Sequence, residues 1–378
     1  MEEIRIMAFG LFKKKKEETA EIPKIKSGYI TLKIKEVINE TADAVSIHFE
    51  QPETGDIAYK SGQFFTVIAD INGKEERRAY SLCSSPVTDA NPAVAVKRVE
   101  GGLMSNHLND NAVAGQELKL MEPIGNFTTE FGAGNERHLV LFGGGSGITP
   151  LISIAKSALK EEPNSKVSLI YANRNVASII FKAQLEQMVT DSAGRFSLIH
   201  VLETAEDGFE CHKGWLTEAI IKDSLAKLPQ MTAGSTEYFM CGPGPMMDIV
   251  EASLDNMSVA KEQVHKESFT SSTDDKEATT DEASDEIIAR EVTIIYDDEE
   301  FKYTVEPGET ILEKGLDEDI DLPFSCQSGL CTACRGRCVS GKVKMDEDEG
   351  LSEAEIDEGY VLPCVSHPLT EDVVIEIG

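Results

Sequence analysis

The chain has 378 residues and a mass of 41.3 kDa, a length for two or three domains at ~150 residues each. Its 67 acidic against 36 basic side chains leave a formal charge of -31, which disfavours nucleic acid, because a polyphosphate partner needs a basic face. Eight cysteines are too few for a disulfide scaffold, and no secretory h-region with a cleavage site opens the sequence. The expectation is a reducing, cytoplasmic compartment in which clustered cysteines serve as metal or redox ligands.

Residues 1–26 carry a short apolar patch, Ile6 to Phe12, followed by Lys13 to Lys16; they read as a frayed tail, without stable membrane insertion. Residues 27–131 read as β. Tyr29–Val37, Ala44–Phe49, Gln63–Ile68, Ala93–Arg98 and Glu117–Met121 are short and rich in β-branched and aromatic residues, and turn formers such as Asn72-Gly73 and Gly101-Gly102 separate them. That spacing predicts an antiparallel barrel or sandwich.

Residues 132–269 change rhythm. Strand candidates at Leu139–Phe142, Val167–Tyr171, Phe196–Leu202 and Tyr238–Cys241 alternate with helical patterns at Leu151–Leu159, Phe181–Val189 and Leu216–Leu228. The alternation predicts a doubly wound parallel sheet with ligands at the carboxyl ends of its strands. The 18 uncharged residues from His138 to Ala155 include Gly143, Gly144, Gly145, Gly147 and Pro150, so they read as strand, turn and helix rather than a membrane span. Residues 270–290 are rich in Ser, Thr and acid and read as a disordered linker. Residues 291–378 form a last unit, with a hairpin of Val292–Tyr296 and Phe301–Val305, a helix at Thr310–Gly315 and a strand at Asp372–Ile377. This unit holds 23 acidic against 6 basic side chains, a net -17.

The strongest motif is Cys326-Gln-Ser-Gly-Leu-Cys331-Thr-Ala-Cys334, with Cys364 thirty residues later. C-x4-C-x2-C…C is the spacing that brings four thiolates to a [2Fe–2S] cluster, three of them from one tight loop. Structural zinc would call for a second close pair, which this segment lacks. Cys83, Cys211 and Cys338 read as ordinary thiols.

On these residues, 291–378 resembles a plant-type ferredoxin of β-grasp fold. The residues before it resemble the ferredoxin-NADP reductase family, a flavin-binding barrel followed by a nucleotide-binding domain. The order flavin, nicotinamide, ferredoxin resembles the reductase components of multicomponent oxygenases, phenylacetyl-CoA epoxidase and ketosteroid 9α-hydroxylase reductases among them. Arg78-Ala-Tyr80-Ser81 matches the family's R-x-Y-S motif, in which an aromatic ring packs on the isoalloxazine, a hydroxyl bonds it and Arg meets a phosphate. Val96 to Val99, with Lys97 and Val99, resembles the strand whose backbone meets the flavin. Gly101 to Leu108, with Gly102, Met104 and Ser105, resembles the loop and helix start that cradle a pyrophosphate, which implies FAD rather than FMN.

Phe142 to Pro150 lacks the G-x-G-x-x-G spacing but resembles the family's G-x-G-I-T-P turn, in which Thr149 would lie beside the nicotinamide. Cys241-Gly242-Pro243-Gly244-Pro245-Met246 resembles the segment that holds the nicotinamide ribose and ring, with Cys241 facing the hydride path. Glu267-Ser268-Phe269 stands where the family has E-R-F, so Phe269 would shield the flavin and Glu267 would sit near its reactive edge; the motif's Arg is missing here. Arg174 is placed to accept a 2′-phosphate, whereas Glu203 ends the third strand, so NADPH and NADH both stay open.

A nicotinamide gives up two electrons as a hydride and a [2Fe–2S] centre takes one at a time, so a flavin belongs between them. The implied function is an NAD(P)H-dependent reductase that passes electrons through FAD and the cluster to a partner oxygenase. The partner is expected to carry a basic docking patch for the acidic ferredoxin unit, and the isolated chain to be a monomer. A reductase for a hybrid-cluster or nitrosative-stress protein and an electron carrier with an inactive nucleotide site are the alternatives. The seven histidines are scattered and mostly unpaired and fit packed or surface roles better than ligation, which leaves oxidation of any organic substrate to the partner.

Overall fold

Strand β1 (Tyr29–Thr41) begins a computed structural model that describes residues 29–229, 235–269 and 288–377, except 328, 330, 347–349 and 352. The expectations for the tail at 1–26 and for nearly all of the linker at 270–290 lie outside the described residues. After β1 come β2 (Ala44–Phe49), β3 (Phe64–Ile71), β4 (Lys74–Ser81), β5 (Ala93–Lys97), helix α1 (Leu103–Asn111) and β6 (Glu117–Ile124). The strands form one antiparallel sheet in the order β4-β3-β6-β1-β2-β5. A bridge between Leu82 and Val94 joins its two edges, so the sheet curls into a barrel round Ile34, Ile47, Phe65 and Leu120. Asn72 and Gly73 take φ of 60° and 81°, the left-handed pair that a tight hairpin between twisted strands requires. Their strand β4 escapes the pattern reading because Lys74 to Arg78 is all charged.

The second sheet is parallel, in the order β10-β9-β8-β7-β11-β12. Its elements are β7 (His138–Gly144), α2 (Ile148–Glu161), β8 (Lys166–Asn173), α3 (Lys182–Asp191), β9 (Phe196–Leu202), β10 (His212–Lys213), α4 (Glu218–Lys227), β11 (Thr236–Cys241), α5 (Gly244–Asn256) and β12 (Val264–Glu267). Every residue of central β7 is buried; a strand covered on both faces reads as an unbroken apolar run rather than an alternation. Helix α2 fastens this domain to the barrel. Ser157 Oγ lies 2.7 Å from both Ser61 Oγ and Ser85 Oγ, Ser153 donates to the Ser84 carbonyl at 2.6 Å, and Lys156 pairs with Asp89 at 2.9 Å.

The third unit holds β13 (Arg290–Tyr296), β14 (Glu299–Val305), α6 (Ile311–Asp317), β15 (Gly336–Ser340), β16 (Val343–Met345), α7 (Glu353–Asp357), β17 (Tyr360–Val361), β18 (Ser366–Pro368) and β19 (Val373–Ile377). Five strands make a mixed sheet in the order β14-β13-β19-β15-β17, and β16 pairs with β18. Thr310 and Glu313 cap α6 reciprocally, and Ile311 and Leu312 of that helix share a core with Val292, Ile294 and Ile375. An antiparallel barrel, a parallel sheet with helices and a mixed five-stranded sheet thus follow one another along the chain, the architecture that the sequence leads one to expect.

Candidate functional site

Three neighbouring strands end together at the carboxyl edge of the parallel sheet. In register, Gly143 of β7 lies beside Cys241 of β11, and Cys241 beside Glu267 of β12. From the barrel, Ser81 at the end of β4 reaches the Glu267 carboxyl at 3.5 Å, so the seam between the two domains gathers Ser81, Cys241 and Glu267. Cys241 is fully buried, and that burial, with the nearby Glu267, holds its thiol well above the ordinary value. Burial also pushes the Glu267 carboxyl up to about 8, a rise the Ser81 hydrogen bond offsets only in part. A carboxyl raised this far keeps its proton near neutral pH and can hold it at a reacting group.

The glycines are needed where two backbones meet. A Cβ on Gly147 would sit 2.0 Å from the Cys241 carbonyl oxygen, one on Gly144 would lie 2.6 Å from Pro243 Cδ, and one on Gly242 would lie 2.6 Å from Met246 Cε. Gly145 takes φ +53°, and Lys97 Nζ of the barrel lies 3.4 Å from where its Cβ would be. Tyr171 donates to the Gly145 carbonyl at 2.8 Å, and the buried Thr149 hydroxyl donates back to the Ser146 carbonyl at 3.0 Å. The two glycine turns and Lys97 thus form one wall. Arg174 stands apart from it as half of an ion pair, 2.6 Å from Asp43 in the β1–β2 turn. Burial would raise the Asp43 carboxyl, but the Thr41 hydroxyl and the charges of Lys97 and Arg174 outweigh it and hold the group below its ordinary value.

On the flavin side, alternation along β4 sends Arg78 and Tyr80 to one face and Ser81 to the other. Arg78 pairs with Glu76 at 3.2 Å and donates to the Arg77 carbonyl at 2.7 Å; Tyr80 is half-buried and burial raises its phenol. Gly102 caps α1 with a backbone that leaves no room for a Cβ, which would meet Ser105 Oγ at 2.7 Å. Ser105 Oγ accepts from the Val99 N–H at 3.1 Å, and its own hydrogen stays available to donate. The Met104 side chain is buried in the barrel core, so it offers a ligand its backbone N–H. Val99, Leu103 and Phe269 leave 59%, 50% and 44% of their surfaces open. A helix start without an acidic residue in its first turn, beside open apolar surface, fits a flavin carrying a pyrophosphate.

The cysteines of the third unit converge. Cys331 is within hydrogen-bond reach of Cys326, and Cys364 of both Cys326 and Cys334. These contacts first, and burial second, raise the Cys331 and Cys364 thiols, the crowding that iron relieves by taking the charge of the thiolates. Gln327 and Gly329 take φ of 52° and 74°, which coils the loop that carries the first three. Among the described residues no set of three or more His, Cys, Asp or Glu side chains closes round a single ion; four cysteines in pairwise reach fit a two-iron cluster.

Some placements have no sequence signal strong enough to find them. Asp43 on Arg174 and Tyr171 on Gly145 join residues 131 and 26 positions apart, and neither Phe64 nor Arg77 belongs to a motif that marks it. A cleft of about 590 Å³ between the β1–β2 hairpin and the start of α3 is lined by Glu40, His48, Cys83 and Lys156 and contains none of the predicted site residues.

Three domain families match in chain order: an oxidoreductase FAD-binding domain over residues 30–129, an oxidoreductase NAD-binding domain over 141–252 and a 2Fe-2S iron-sulfur cluster binding domain over 294–369. The ferredoxin reductase component of 3-ketosteroid-9-alpha-monooxygenase from Rhodococcus rhodochrous is 38% identical over 369 residues, covering 95% of this chain and 99% of that one. A component of the 1,2-phenylacetyl-CoA epoxidase of Escherichia coli is 31% identical over 349 residues, with 92% and 97% covered. Among solved structures, phthalate dioxygenase reductase superposes with a TM-score of 0.56 at 23% identity, over 93% of this chain and 98% of its own.

Proposed function

The chain belongs to the family of oxygenase reductase components that join FAD-binding, NAD-binding and 2Fe-2S domains, and from that premise we propose how its residues divide the work. It is an NAD(P)H-dependent oxidoreductase. When bound, a flavin exchanges hydride with a nicotinamide and single electrons with a [2Fe–2S] centre, which is why the protein holds it between the two. The Gly143–Thr149 and Cys241–Met246 turns bind NADPH or NADH. Lys97, Val99, Gly102, Met104, Ser105 and Arg78 bind FAD, and Tyr80 and Phe269 cover its ring. Ser81, Cys241 and Glu267 line the place where the two rings meet, with Glu267 holding a proton beside Ser81. Cys326, Cys331, Cys334 and Cys364 hold the cluster.

The observation that carries this reading is the register of Gly143, Cys241 and Glu267 across three strands with Ser81 arriving from the barrel. The relatives supply the acceptor. They are components of a monooxygenase and an epoxidase, which supports an oxygenase partner over a hybrid-cluster protein. We place the chain in the cytoplasm, as a monomer meeting a basic patch on its partner, a reading supported by cysteines too few for a disulfide scaffold and by the acidic ferredoxin unit. Among the described residues no helix is long and apolar enough to cross a membrane. The test is iron and flavin analysis of the purified protein with reduction of ferricyanide and cytochrome c by each nucleotide. Yellow and iron-containing protein with turnover is expected. A colourless protein, or no turnover with either nucleotide, would overturn the proposal.

A further inference from the structure

The ferredoxin unit rests against the barrel along one seam. Phe64 at the start of β3 is buried together with Cys331 and Ala333, and Ile124 and Cys326 pack on the same group. Phe64 is also the ladder partner of Ser81, and directly opposed residues of an antiparallel pair project to one face with Cβ atoms about 5 Å apart. One ring therefore touches the cysteine loop and neighbours the hydroxyl placed at the flavin.

Four residues back along β4, about 13 Å away, Arg77 lies on that same face. Its side chain is 6% exposed and pairs with Glu75 at 2.7 Å and with Asp321 of the ferredoxin unit at 3.2 Å. Its guanidinium carbon also lies 4.3 Å from the centroid of Phe324, close enough for a cation–π contact. Tyr29 donates to both Asp321 carboxylate oxygens at 3.1 and 3.2 Å, and at the other end of the seam Asn126 donates to Glu355. Arg77 is thus a buried cation within the docking contact between the acidic unit and the barrel.

We propose that Arg77 is the positioning residue that seats the ferredoxin unit for internal electron transfer, holding Asp321 and Phe324 so that the cysteine loop meets the barrel at Phe64. The assignment rests on the function proposed above. The step it positions moves one electron and breaks no bond; the two electrons of one nicotinamide hydride leave in two such passages, and its proton goes to solvent. Asp321 is 67% exposed, so salt screens the pair and loosens the seat.

The test uses the full-length holoprotein with Arg77→Gln, Asp321→Asn and both together. Hydrogen–deuterium exchange reports seating without turnover, and stopped-flow separates flavin bleaching by nucleotide from bleaching of the cluster. Each single variant is expected to lose exchange protection across 321–334 and to slow cluster bleaching tenfold or more, with flavin bleaching within twofold of the unaltered protein. The double variant should be no slower than the worse single one, and Asp321→Asn should lose the salt dependence of cluster bleaching. Asp321 lies outside the barrel, so its variant decides the matter even where Arg77→Gln fails to fold. Unchanged protection and unchanged cluster bleaching in folded Asp321→Asn would overturn the role of Arg77 alone. Absence of nucleotide-driven flavin bleaching in the unaltered protein would instead overturn the proposed function, and this assignment with it.

Discussion

Gly147→Ala asks whether the two glycine turns act as one rigid wall. The added methyl would meet the Cys241 carbonyl oxygen at 2.0 Å, the Cys241 carbonyl carbon at 2.4 Å and the Gly242 nitrogen at 2.8 Å. Real Cβ contacts essentially never fall under 3.0 Å, so the turns have to part by about 1 Å or more. All three atoms are backbone, and no side chain can swing aside to absorb the clash. Overpacking of this kind costs about 1–3 kcal/mol, and each kcal/mol lowers Tm by roughly 2–4 °C in a domain of 150–250 residues. A displacement of about 1 Å at a positioned reaction costs about 100-fold in rate. Gly244→Ala, where a Cβ has no neighbour within 4 Å, is the control. Stopped-flow bleaching of the flavin by NADPH and NADH is the assay, with calorimetry for Tm and flavin absorbance retained through gel filtration to show that the flavin is bound. Gly147→Ala should bleach about 100-fold more slowly by this reasoning and melt lower, with Gly244→Ala unchanged. Bleaching by Gly147→Ala at the rate of the unaltered protein would refute the wall.

Cys331→Ser should lose the cluster spectrum and cytochrome c reduction yet keep flavin bleaching by nucleotide; loss of bleaching in a folded variant would show that the two units are not separable. Asp43→Asn frees Arg174 from its 2.6 Å partner, and the KM for NADPH is expected to fall relative to that for NADH, whereas an equal ratio would remove Arg174 from 2′-phosphate binding. Glu162 is fully buried with Arg137 at 2.6 Å, and although burial raises its carboxyl, the hydrogen bonds of Arg137, Asn135 and Ser165 hold it below its ordinary 4.5. That stabilisation is present above pH 4.5 and lost as pH falls below it; Arg137→Met, which strands the carboxylate, should cost about 3–5 kcal/mol at pH 7 by denaturant melt. For Glu267 the sign reverses. A carboxyl raised to about 8 favours the fold most when protonated, so flavin-free protein should lose stability between about pH 5 and pH 8 and Glu267→Gln should not, as melts at pH 5, 7 and 9 would show.

The sequence is legible where one residue type is irreplaceable. Four cysteines at 326, 331, 334 and 364 and the glycines at 143–147 announce themselves because thiolate ligation and backbone contact tolerate no substitute, and the turn at Asn72-Gly73 does so because its φ angles exclude most side chains. Strand β4 is illegible for the opposite reason: five of its eight residues are charged, and only pairing with β3 on one side makes them a strand. The short strands β15, β16, β17 and β18 pass unread because two to five residues carry no periodicity. Pairings such as Arg77 with Asp321, 244 positions apart, depend on how two folded units meet, and no local pattern encodes that.

The two seams round the flavin site differ in chemistry, and the difference matches the two kinds of transfer. Hydride transfer demands atoms held at near-contact distance, and the nucleotide domain is fixed to the barrel through Ser61, Ser85, Ser153 and Ser157, none more than 2% exposed. One apolar core spans that seam as well, with Ala93 and Phe127 among Leu151, Ile154 and Phe239, and parting the domains would return this surface to water. A single electron needs no bond to form and tolerates a range of distances. The ferredoxin seam is mixed: Phe64 is buried against Cys331 and Ala333, while Asp321, 67% exposed, and the Asn126–Glu355 pair stay within reach of water beside the buried Arg77. The nucleotide domain is therefore fixed to the barrel through contacts closed to water, and the ferredoxin unit in part through contacts that water and salt reach at Asp321.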